Sequence, residues 1–481
     1  MSLNKLEKKL NKGAGVSPAL FTVLVALFHK GTTALMTLFF TWFLNSSEYG
    51  DYSVFNSWMG IITVLVTLQL YYGVYTQGLV KFEDNRDAFS ASMQGLNLFM
   101  CIAWLCVCAI GYRFWGQLIG ISASRLMLMF AIIWSNASYE FWATEQRVLL
   151  NYKKLFRVVI FEAATQLIIC TFCVMKFDNK ADGWIVGIAI SQLAVYIFLF
   201  AEQISKGNGL INSKYWKYAL CFNIPLIPHY LSQIVLNSSD RIMINDLVGP
   251  SEAGIYSYAY HVAMIMTMLQ TAILSVVNPW IYKQIKEENE KAISEKAYFL
   301  LKLVAIGNLV IILIAPELIH MIAPVEYSDA IWIIPPVSMG CFFTFVYCLF
   351  ADFSFYYQKT FNIMIASVAG AILNVFLNYM FIPRFGYIAA GYTTLACYII
   401  YDFLHYCFML KLCNVHHGNQ RVYDPKILVS ILGTFIVFGF INLIGYKFFL
   451  LRFFTLIIIV LYLVFRRGEI IKRFKEMILL K

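Results

Sequence analysis

Long apolar runs separated by short polar segments make up most of this chain. The runs Ile306–Ala315, Val429–Ile444 and Phe453–Phe465 contain no charged residue. A helix of a soluble protein carries a polar face, whereas about 20 apolar residues wound as a helix match the thickness of the hydrocarbon layer. The pattern therefore predicts an all-α polytopic membrane protein with about 14 transmembrane helices joined by short loops.

The overall composition supports this fold class. The 481-residue chain is 60% hydrophobic and 13% charged, against about 45–50% and about 25% in soluble globular proteins. The net charge of +10 does not indicate a nucleic-acid partner, because Lys and Arg stand in short clusters between apolar segments. The 11 cysteines lie within apolar segments or at the end of one, which predicts neither disulfides nor a metal site.

The placement of Lys and Arg predicts the orientation of the chain. With the N-terminus inside, seven of the 37 Lys and Arg residues fall in outer loops and two, Lys30 and Arg241, fall within spans. The other 28 (37 less nine) lie on the inner side, which the positive-inside rule assigns to the cytoplasm. We therefore expect both termini in the cytoplasm.

The chain also repeats itself at a constant offset. The stretch Ser47–Ser53 recurs as Ser251–Ser257, which places Gly50 and Gly254 204 positions apart. We expect a serine to cap the helix that follows each turn, and each glycine to let backbones approach closely. An even number of spans separates the copies, so they imply two six-helix halves in one orientation, as transporters commonly have.

These patterns together predict two pseudo-symmetric six-helix bundles followed by two additional transmembrane helices. The basic N-terminal segment places three leucines on one helical face, so we expect it to lie on the membrane surface. The predicted boundaries are 1–17 for that segment, 18–205 for the N-terminal bundle, 206–215 for a cytoplasmic linker, 216–413 for the C-terminal bundle, 414–466 for the additional helices and 467–481 for a basic cytoplasmic tail.

Charged residues inside the predicted spans are the first functional candidates. An ionisable group in hydrocarbon costs at least about 2.5 kcal/mol, so each should face a protein-lined or water-filled interior. The alternative for each is an interhelical ion pair or a position at the end of a span. The residues concerned are Lys30, Glu140, Glu162, Asp240, Arg241, Asp246, Asp352 and Asp402.

Three motifs carry a resemblance to a known family. They are Asp240-Arg241-x-x-Ile244 followed by Gly254-x-Tyr256-x-x-Ala259-Tyr260, the stretch Glu48–Ser53, and the turn Pro383–Gly391. With these motifs the chain resembles the polysaccharide biosynthesis or repeat-unit flippase (Wzx-type) family of the multidrug/oligosaccharidyl-lipid/polysaccharide exporter superfamily. The landmarks span about residues 18–413, and the last two spans match by position alone.

The resemblance implies a V-shaped pair of bundles around a cavity that opens to one side at a time. It also implies gating by the first and seventh spans. Pro225 and Pro228 agree with this for the seventh, since proline removes a backbone donor and kinks a helix. The implied location is a bacterial cytoplasmic membrane, and the implied partners are the bilayer and other polysaccharide-assembly proteins.

The first functional hypothesis is a flippase for an undecaprenyl-diphosphate-linked oligosaccharide. A diphosphate needs cations within the membrane, and Lys30 and Arg241 are the two predicted there. We therefore predict that substrate binding involves Lys30, Asp240, Arg241, Tyr256 and Tyr260, with Asn136, Tyr139, Asn278 and Trp280 as further sugar contacts or packing residues.

Two other hypotheses compete with it. A cation-coupled multidrug exporter shares the architecture and would use carboxylates in its cavity. A membrane-embedded polymerase, ligase or acyltransferase is disfavoured by the short predicted outer loops. We expect a transporter with no catalytic residues and no cofactor, and the sequence contains no Gly-x-x-x-x-Gly-Lys-Ser/Thr loop for ATP. A counter-moving proton or Na⁺ would then drive transport, with Glu140, Glu162 and Asp352 as candidate coupling residues.

Overall fold

The described part of the chain is helical throughout. A computed structural model describes residues 35–207, 209–416 and 421–478, together with Val25, Phe28, His29, Gly31 and Thr32. No β-strand occurs in these residues, so the predicted all-α class is confirmed. The basic segment 1–17 and Lys30 lie outside the described residues.

Eleven helical segments within the described residues are long and apolar enough to cross a membrane. The chain is therefore a multi-pass membrane protein, as its hydrophobic pattern predicted. The figure of about 14 spans stays a prediction.

The chain packs as two compact units whose boundaries fall within helices. The first comprises the described residues up to Leu44 and Phe55–Leu231, and the second comprises Asn45–Val54 and the residues from Ser232 onward. The predicted division near 206–215 stays a prediction.

Between Ser46 and Asn223 the structure describes eight helices of the first unit, the first of which begins in the second unit. Large buried aromatic side chains such as Trp142 and Tyr75 fill the core of this unit. The helices are α1 (Ser46–Thr67), α2 (Gly73–Lys81), α3 (Arg86–Ile110), α4 (Tyr112–Ile119), α5 (Ala123–Val148), α6 (Tyr152–Lys176), α7 (Lys180–Lys206) and α8 (Ser213–Asn223).

Nine further helices follow in the described residues, from Ile227 onward. About half of the second unit's buried apolar side chains form one continuous cluster. The helices are α9 (Ile227–Leu247), α10 (Pro250–Ala263), α11 (Ile265–Lys286), α12 (Glu290–Ile322), α13 (Ile334–Tyr356), α14 (Thr360–Phe385), α15 (Ile388–His416), α16 (Pro425–Ile444) and α17 (Phe449–Ile478).

Short polar side chains and proline set several helix ends. The side chains of Asn179, Asn212 and Asp424 accept hydrogen bonds from backbone N–H groups in the first turns of α7, α8 and α16, which satisfies donors that a helix start leaves free. A 3₁₀ turn at Ile224–Leu226, centred on Pro225, separates α8 from α9. The interruption that proline predicted in this segment is therefore present.

The two copies of the repeated turn pack against each other inside the second unit. The hydroxyls of Ser46 and Ser251 lie 2.8 Å apart, and those of Ser53 and Ser257 are also hydrogen-bonded. A Cβ added at Gly50 would lie 1.8 Å from the carbonyl oxygen of Pro250, and one added at Gly254 would lie 2.0 Å from that of Ser46. The glycines do permit the close approach that the repeat predicted.

The cap of α1 differs from the prediction. Asn45 Oδ1 accepts the backbone N–H of Glu48 at 2.8 Å, and Glu48 Oε2 accepts that of Asn45 at 3.0 Å. This reciprocal pair is a capping box, in which an asparagine and a glutamate satisfy two backbone donors of the helix start. The predicted serine cap was wrong for this turn, because the helix begins at Ser46 and its cap position falls on Asn45, two residues before Ser47.

We expect both ends of the chain to lie in the cytoplasm, since the inner segments hold most of its Lys and Arg. A reporter that is active only in the cytoplasm should be active when fused after Met1 and after Lys481. The same reporter inserted at Gly120, an exposed connection between α4 and α5, should be inactive. An inactive fusion at Lys481 would contradict an even number of spans.

Candidate functional site

The first unit contains a large polar cavity. Its volume is about 1060 Å³, at the upper end of pockets that hold small ligands. Side chains from α1, α2 and α5 and from the turn between the first two supply most of the lining. The lining residues are His29, Thr63, Gln69, Tyr71, Tyr72, Gly73, Thr76, Gln77, Asn136, Tyr139, Glu140, Thr144, Arg147 and Val148.

An ion pair lies on one wall of this cavity. Arg147 Nη2 donates to Glu140 Oε2 at 2.9 Å and to Thr144 Oγ1 at 2.7 Å. The three residues share one face of α5, because positions seven and three residues apart lie above one another on a helix. The two charged side chains remain about one-third exposed, at 34% for Arg147 and 36% for Glu140. A pair this exposed contributes at most about 1 kcal/mol, so an anionic ligand can displace the carboxylate.

Amides and aromatic rings form the rest of the cavity wall. Gln69, Gln77 and Asn136 supply amide donors and acceptors, and Tyr139 presents a ring that stacks on Tyr196 with centroids 4.8 Å apart. Amides and hydroxyls hydrogen-bond sugar hydroxyls, while aromatic rings pack on their apolar faces. The wall therefore has the groups that a sugar headgroup requires.

The backbone beside Gln69 is held in an uncommon conformation. Leu68 and Gln69 have φ angles of 49° and 52°, a left-handed region that costs a non-glycine residue roughly 1–2 kcal/mol. Asn223 Nδ2 donates to the Leu68 carbonyl at 2.7 Å, and Thr67 Oγ1 accepts the Gln69 N–H at 3.2 Å. These contacts hold the turn between α1 and α2 so that Gln69 faces the cavity.

The remaining predicted residue of the first unit is buried behind the cavity wall. Glu162 on α6 is 5% exposed and lies within hydrogen-bonding reach of Tyr196. Tyr196 in turn stacks on the cavity residue Tyr139. Of the predicted coupling residues, Glu140 therefore lines the cavity and Glu162 does not.

A second polar cluster lies in the second unit, around Asp240. Its carboxylate is fully buried and accepts hydrogen bonds from Tyr256 Oη at 2.6 Å, Asn378 Nδ2 at 2.6 Å and Thr394 Oγ1 at 2.8 Å. Asn374 extends the network by donating to Thr394 Oγ1 at 3.0 Å. Three donors to one carboxylate are the arrangement that keeps a buried negative charge stable.

Arg241 points away from this network although it follows Asp240 in sequence. Its guanidinium lies 4.3 Å from the ring centre of Tyr260, and Nη1 donates to the Asn237 carbonyl at 2.5 Å. Tyr260 and Tyr398 both donate to Asn237 Oδ1, at 3.2 and 2.9 Å. The structure thus brings together Asp240, Arg241, Tyr256 and Tyr260, which the sequence proposed for substrate binding.

Two other carboxylates are buried in the second unit. Asp352 accepts from Tyr282 Oη at 3.3 Å and lies beside the amide of Asn278. Asp402 is 4% exposed, and within the described residues no hydrogen-bond donor reaches either of its oxygens. Trp280, proposed as a sugar contact, is 2% exposed in the apolar cluster.

Sequence reasoning missed several residues of these sites. Arg147 was counted among the cytoplasmic basic residues, although its spacing of seven from Glu140 predicts a shared helix face. Asn374 and Asn378, four positions apart in an apolar segment, carry the same kind of signal. Gln69 gives no such signal, because its place depends on a left-handed turn between two helices.

The described residues hold no group of three or more His, Cys, Asp and Glu side chains that could bind a metal ion. Each described carboxylate of the two polar sites is instead surrounded by amides, hydroxyls or arginine.

Comparison with known proteins gives both a family and a fold. The family model described as "Polysaccharide biosynthesis protein" matches residues 17–285, more than half of the chain. Lsg locus putative protein 1 of Haemophilus influenzae is 21% identical over 365 residues, which are 72% of this chain and 88% of that protein.

Two solved structures share the fold at low sequence identity. A multidrug resistance MATE family transporter of the MOP superfamily, inward-facing, has a TM-score of 0.64 at 11% identity, covering 87% of this chain and 99% of its own. The lipid II flippase MurJ, in an inward closed conformation, also has a TM-score of 0.64, at 15% identity, covering 93% of this chain and 99% of its own.

Proposed function

The chain belongs to the polysaccharide biosynthesis protein family, and we propose that it is a flippase that moves an undecaprenyl-diphosphate-linked oligosaccharide repeat unit across a bacterial cytoplasmic membrane. Its family and its fold are those of membrane transporters, so the chain is a transporter rather than an enzyme. The proposal concerns the cargo, the location and the residues that act on the cargo.

The polar cavity of the first unit is the observation that carries this proposal. It combines one guanidinium that is about one-third exposed with amides and tyrosines in about 1060 Å³. A lipid-linked oligosaccharide presents the matching chemistry, with an anionic diphosphate joined to a sugar. A lipophilic cation, the typical cargo of a drug exporter, would instead leave Arg147 facing a like charge.

Arg147 is the residue that we assign to the diphosphate. Its planar guanidinium can bind two phosphate oxygens at once, as it can bind the two oxygens of a carboxylate. Phosphate would therefore take the place of Glu140, and Thr144 would keep the arginine oriented. The substrate-binding residues proposed from the sequence remain Lys30, Asp240, Arg241, Tyr256 and Tyr260. Of these, Tyr260 lies beside the Arg241 guanidinium and Tyr256 donates to Asp240.

Energy for transport would come from the membrane potential and a counter-moving ion. An inside-negative potential favours the exit of an anion by about 2.3 kcal/mol per charge per 100 mV. A proton or Na⁺ could add to this through Glu140, Glu162 or Asp352, and Asp402 joins them because a buried charge without a donor is costly. Other polysaccharide-assembly proteins are proposed partners.

A translocation assay with purified protein tests the function. Proteoliposomes would contain a fluorescent undecaprenyl-diphosphate oligosaccharide, and a membrane-impermeant quencher would report how much of it has crossed. We expect the full chain to speed crossing well above protein-free vesicles, and a neutral glycolipid with the same sugar to cross more slowly. Export of a lipophilic cation without movement of the oligosaccharide would instead support the drug-exporter alternative.

Glu140 offers a further prediction, on coupling. If its carboxylate releases a proton or Na⁺ in exchange for cargo, Glu140→Gln should abolish the stimulation that an imposed ion gradient gives without weakening the binding of cargo. The expected binding is tighter than in the unmodified protein, because the amide competes less well for Arg147. Gradient-driven transport equal to that of the unmodified protein would exclude Glu140 as the coupling group.

A further inference from the structure

An apolar groove in the second unit is lined by none of the residues assigned to the two polar sites. Its volume is about 560 Å³, and it lies among α11, α12 and one residue of α17, Leu463. Every lining side chain except that of Gln270 is apolar. Along α12 the groove runs from Leu303 to Ile311, roughly 12 Å at the rise of an α-helix.

A charged cavity of about 240 Å³ continues this groove at one end. The two share Leu303, Ile306 and Leu463, so they form one continuous depression between α12 and α17. Polar and charged side chains line this charged cavity, and the ring of Phe299 also lines it. The charged residues are Glu295, Lys302, Arg466, Glu469 and Arg473.

The charges of this cavity do not cancel. Glu469 pairs with both Arg466, at 2.6 Å, and Arg473, at 2.8 Å. Among the described residues, Lys302 has no carboxylate within ion-pair distance, and Glu295 has no Lys or Arg within that distance. Three cations against two carboxylates leave one net positive charge at the mouth of an apolar groove.

The groove also faces the lipid. Helix α17 is long and apolar, yet only 6% of its most apolar 18-residue stretch is buried. The outward side chains of such a helix contact hydrocarbon in a bilayer. The basic residues at its C-terminal end lie where the positive-inside rule predicts the cytoplasmic surface.

From these observations we propose that groove and cavity together bind one anionic phospholipid of the cytoplasmic leaflet. One acyl chain would lie against α11, α12 and Leu463, and the phosphate would lie near Lys302, Arg466 and Arg473. The single net positive charge matches the single negative charge of a phosphodiester better than the higher charge of a diphosphate. Basic pockets between helices on this side of a membrane are a known way to hold lipid headgroups.

Lipid binding to the purified full chain tests the headgroup contact. The protein in detergent would be titrated with phosphatidylglycerol or with phosphatidylethanolamine, and bound lipid counted by mass spectrometry of the intact complex. We expect phosphatidylglycerol to bind more tightly, and Lys302→Gln to weaken it about fivefold, the contribution typical of one basic residue near a membrane surface. Lys291→Gln, at an exposed lysine of the same helix outside the cavity, should bind as the unmodified protein does.

The groove has its own matched pair of variants. A Cβ at Gly307 would lie 2.5 Å from the flexible end of Met266, so Gly307→Leu should occupy the groove and lower the affinity for phosphatidylglycerol. Gly433→Leu places the same side chain where nothing lies within 4 Å, and it should have no effect.

Several outcomes would overturn this proposal. Equal binding of the two phospholipids would do so, as would equal behaviour of the two lysine variants. Displacement of phosphatidylglycerol by an equal amount of undecaprenyl diphosphate, with the same dependence on Lys302, would assign the site to the transported lipid instead. Because the assay measures binding and not crossing, its result is independent of whether the proposed flippase function holds.

Discussion

Arg147→Ala is expected to lower the rate of oligosaccharide crossing by about 10-fold to 100-fold. Hydrogen bonds to a charged group are worth about 1.5–3 kcal/mol, and alanine removes the whole guanidinium from the cavity wall. The variant also leaves Glu140 in the cavity without its partner, where its negative charge repels a diphosphate. The measurement is the initial crossing rate in proteoliposomes at matched protein content.

Two further variants separate charge from geometry at this position. Arg147→Lys keeps the positive charge but cannot bind two oxygens in one plane, so it should recover part of the rate. Arg157→Ala removes an exposed arginine of α6 that does not line the cavity, and it should leave the rate unchanged. A loss of folded protein in Arg147→Ala, with a normal rate per folded molecule, would show that the ion pair is structural.

Combining Arg147→Ala with Glu140→Gln gives a sharper test. If phosphate exchanges with Glu140 at the guanidinium, the effect of Glu140→Gln on binding should disappear when Arg147 is absent. Additive effects would mean that the two residues act on the cargo independently.

Gly50→Ala is expected to destabilise the protein strongly. Its Cβ would lie 1.8 Å from the Pro250 carbonyl oxygen, a backbone atom that cannot rotate away. Overpacking of this kind costs about 1–3 kcal/mol and occasionally more. The melting temperature of the detergent-purified protein should therefore fall by several degrees.

The repeat supplies an internal check on this result. Gly254→Ala should cost about as much, since its Cβ would lie 2.0 Å from the Ser46 carbonyl oxygen. Separating the segments in either variant relieves both clashes, so the double variant should cost less than the sum of the single ones. Gly433→Ala, where nothing lies within 4 Å, should be neutral or slightly stabilising, because alanine favours a helix over glycine. Equal melting of Gly50→Ala and the unmodified protein would contradict the close packing of the two turns.

The fold class followed from the sequence because it depends on local properties. Runs such as Val429–Ile444 cannot be exposed to water, and a single helix satisfies all of their backbone hydrogen bonds inside the bilayer. The close approach at Gly50 and Gly254 was predicted for a similar reason, since a glycine at the same place in both copies of a turn has no Cβ and so lets another backbone approach closely.

The sites depended on contacts between residues far apart in the chain. Asp240 binds Asn378 and Thr394, which are 138 and 154 positions away, and hydrophobic periodicity carries no information about such partners. The same limit applies to Asp352 and Asp402, which look alike in sequence but differ in whether a donor reaches them.

The sequence by itself determined that this chain is a helical membrane protein with a repeated turn whose glycines allow close backbone approach, because both follow from apolar spacing and from the positions of glycine. That the two copies of the turn pack on each other was decided by the tertiary structure. Only the tertiary structure decided which embedded charges share a space. It placed Arg147 with Glu140 on a cavity wall of the first unit, and it surrounded Asp240 with hydrogen-bond donors of the second unit. The physical reason is that a charge inside a membrane is costly without a partner, so the sequence predicts that a partner exists. Which residue is that partner depends on how the helices pack.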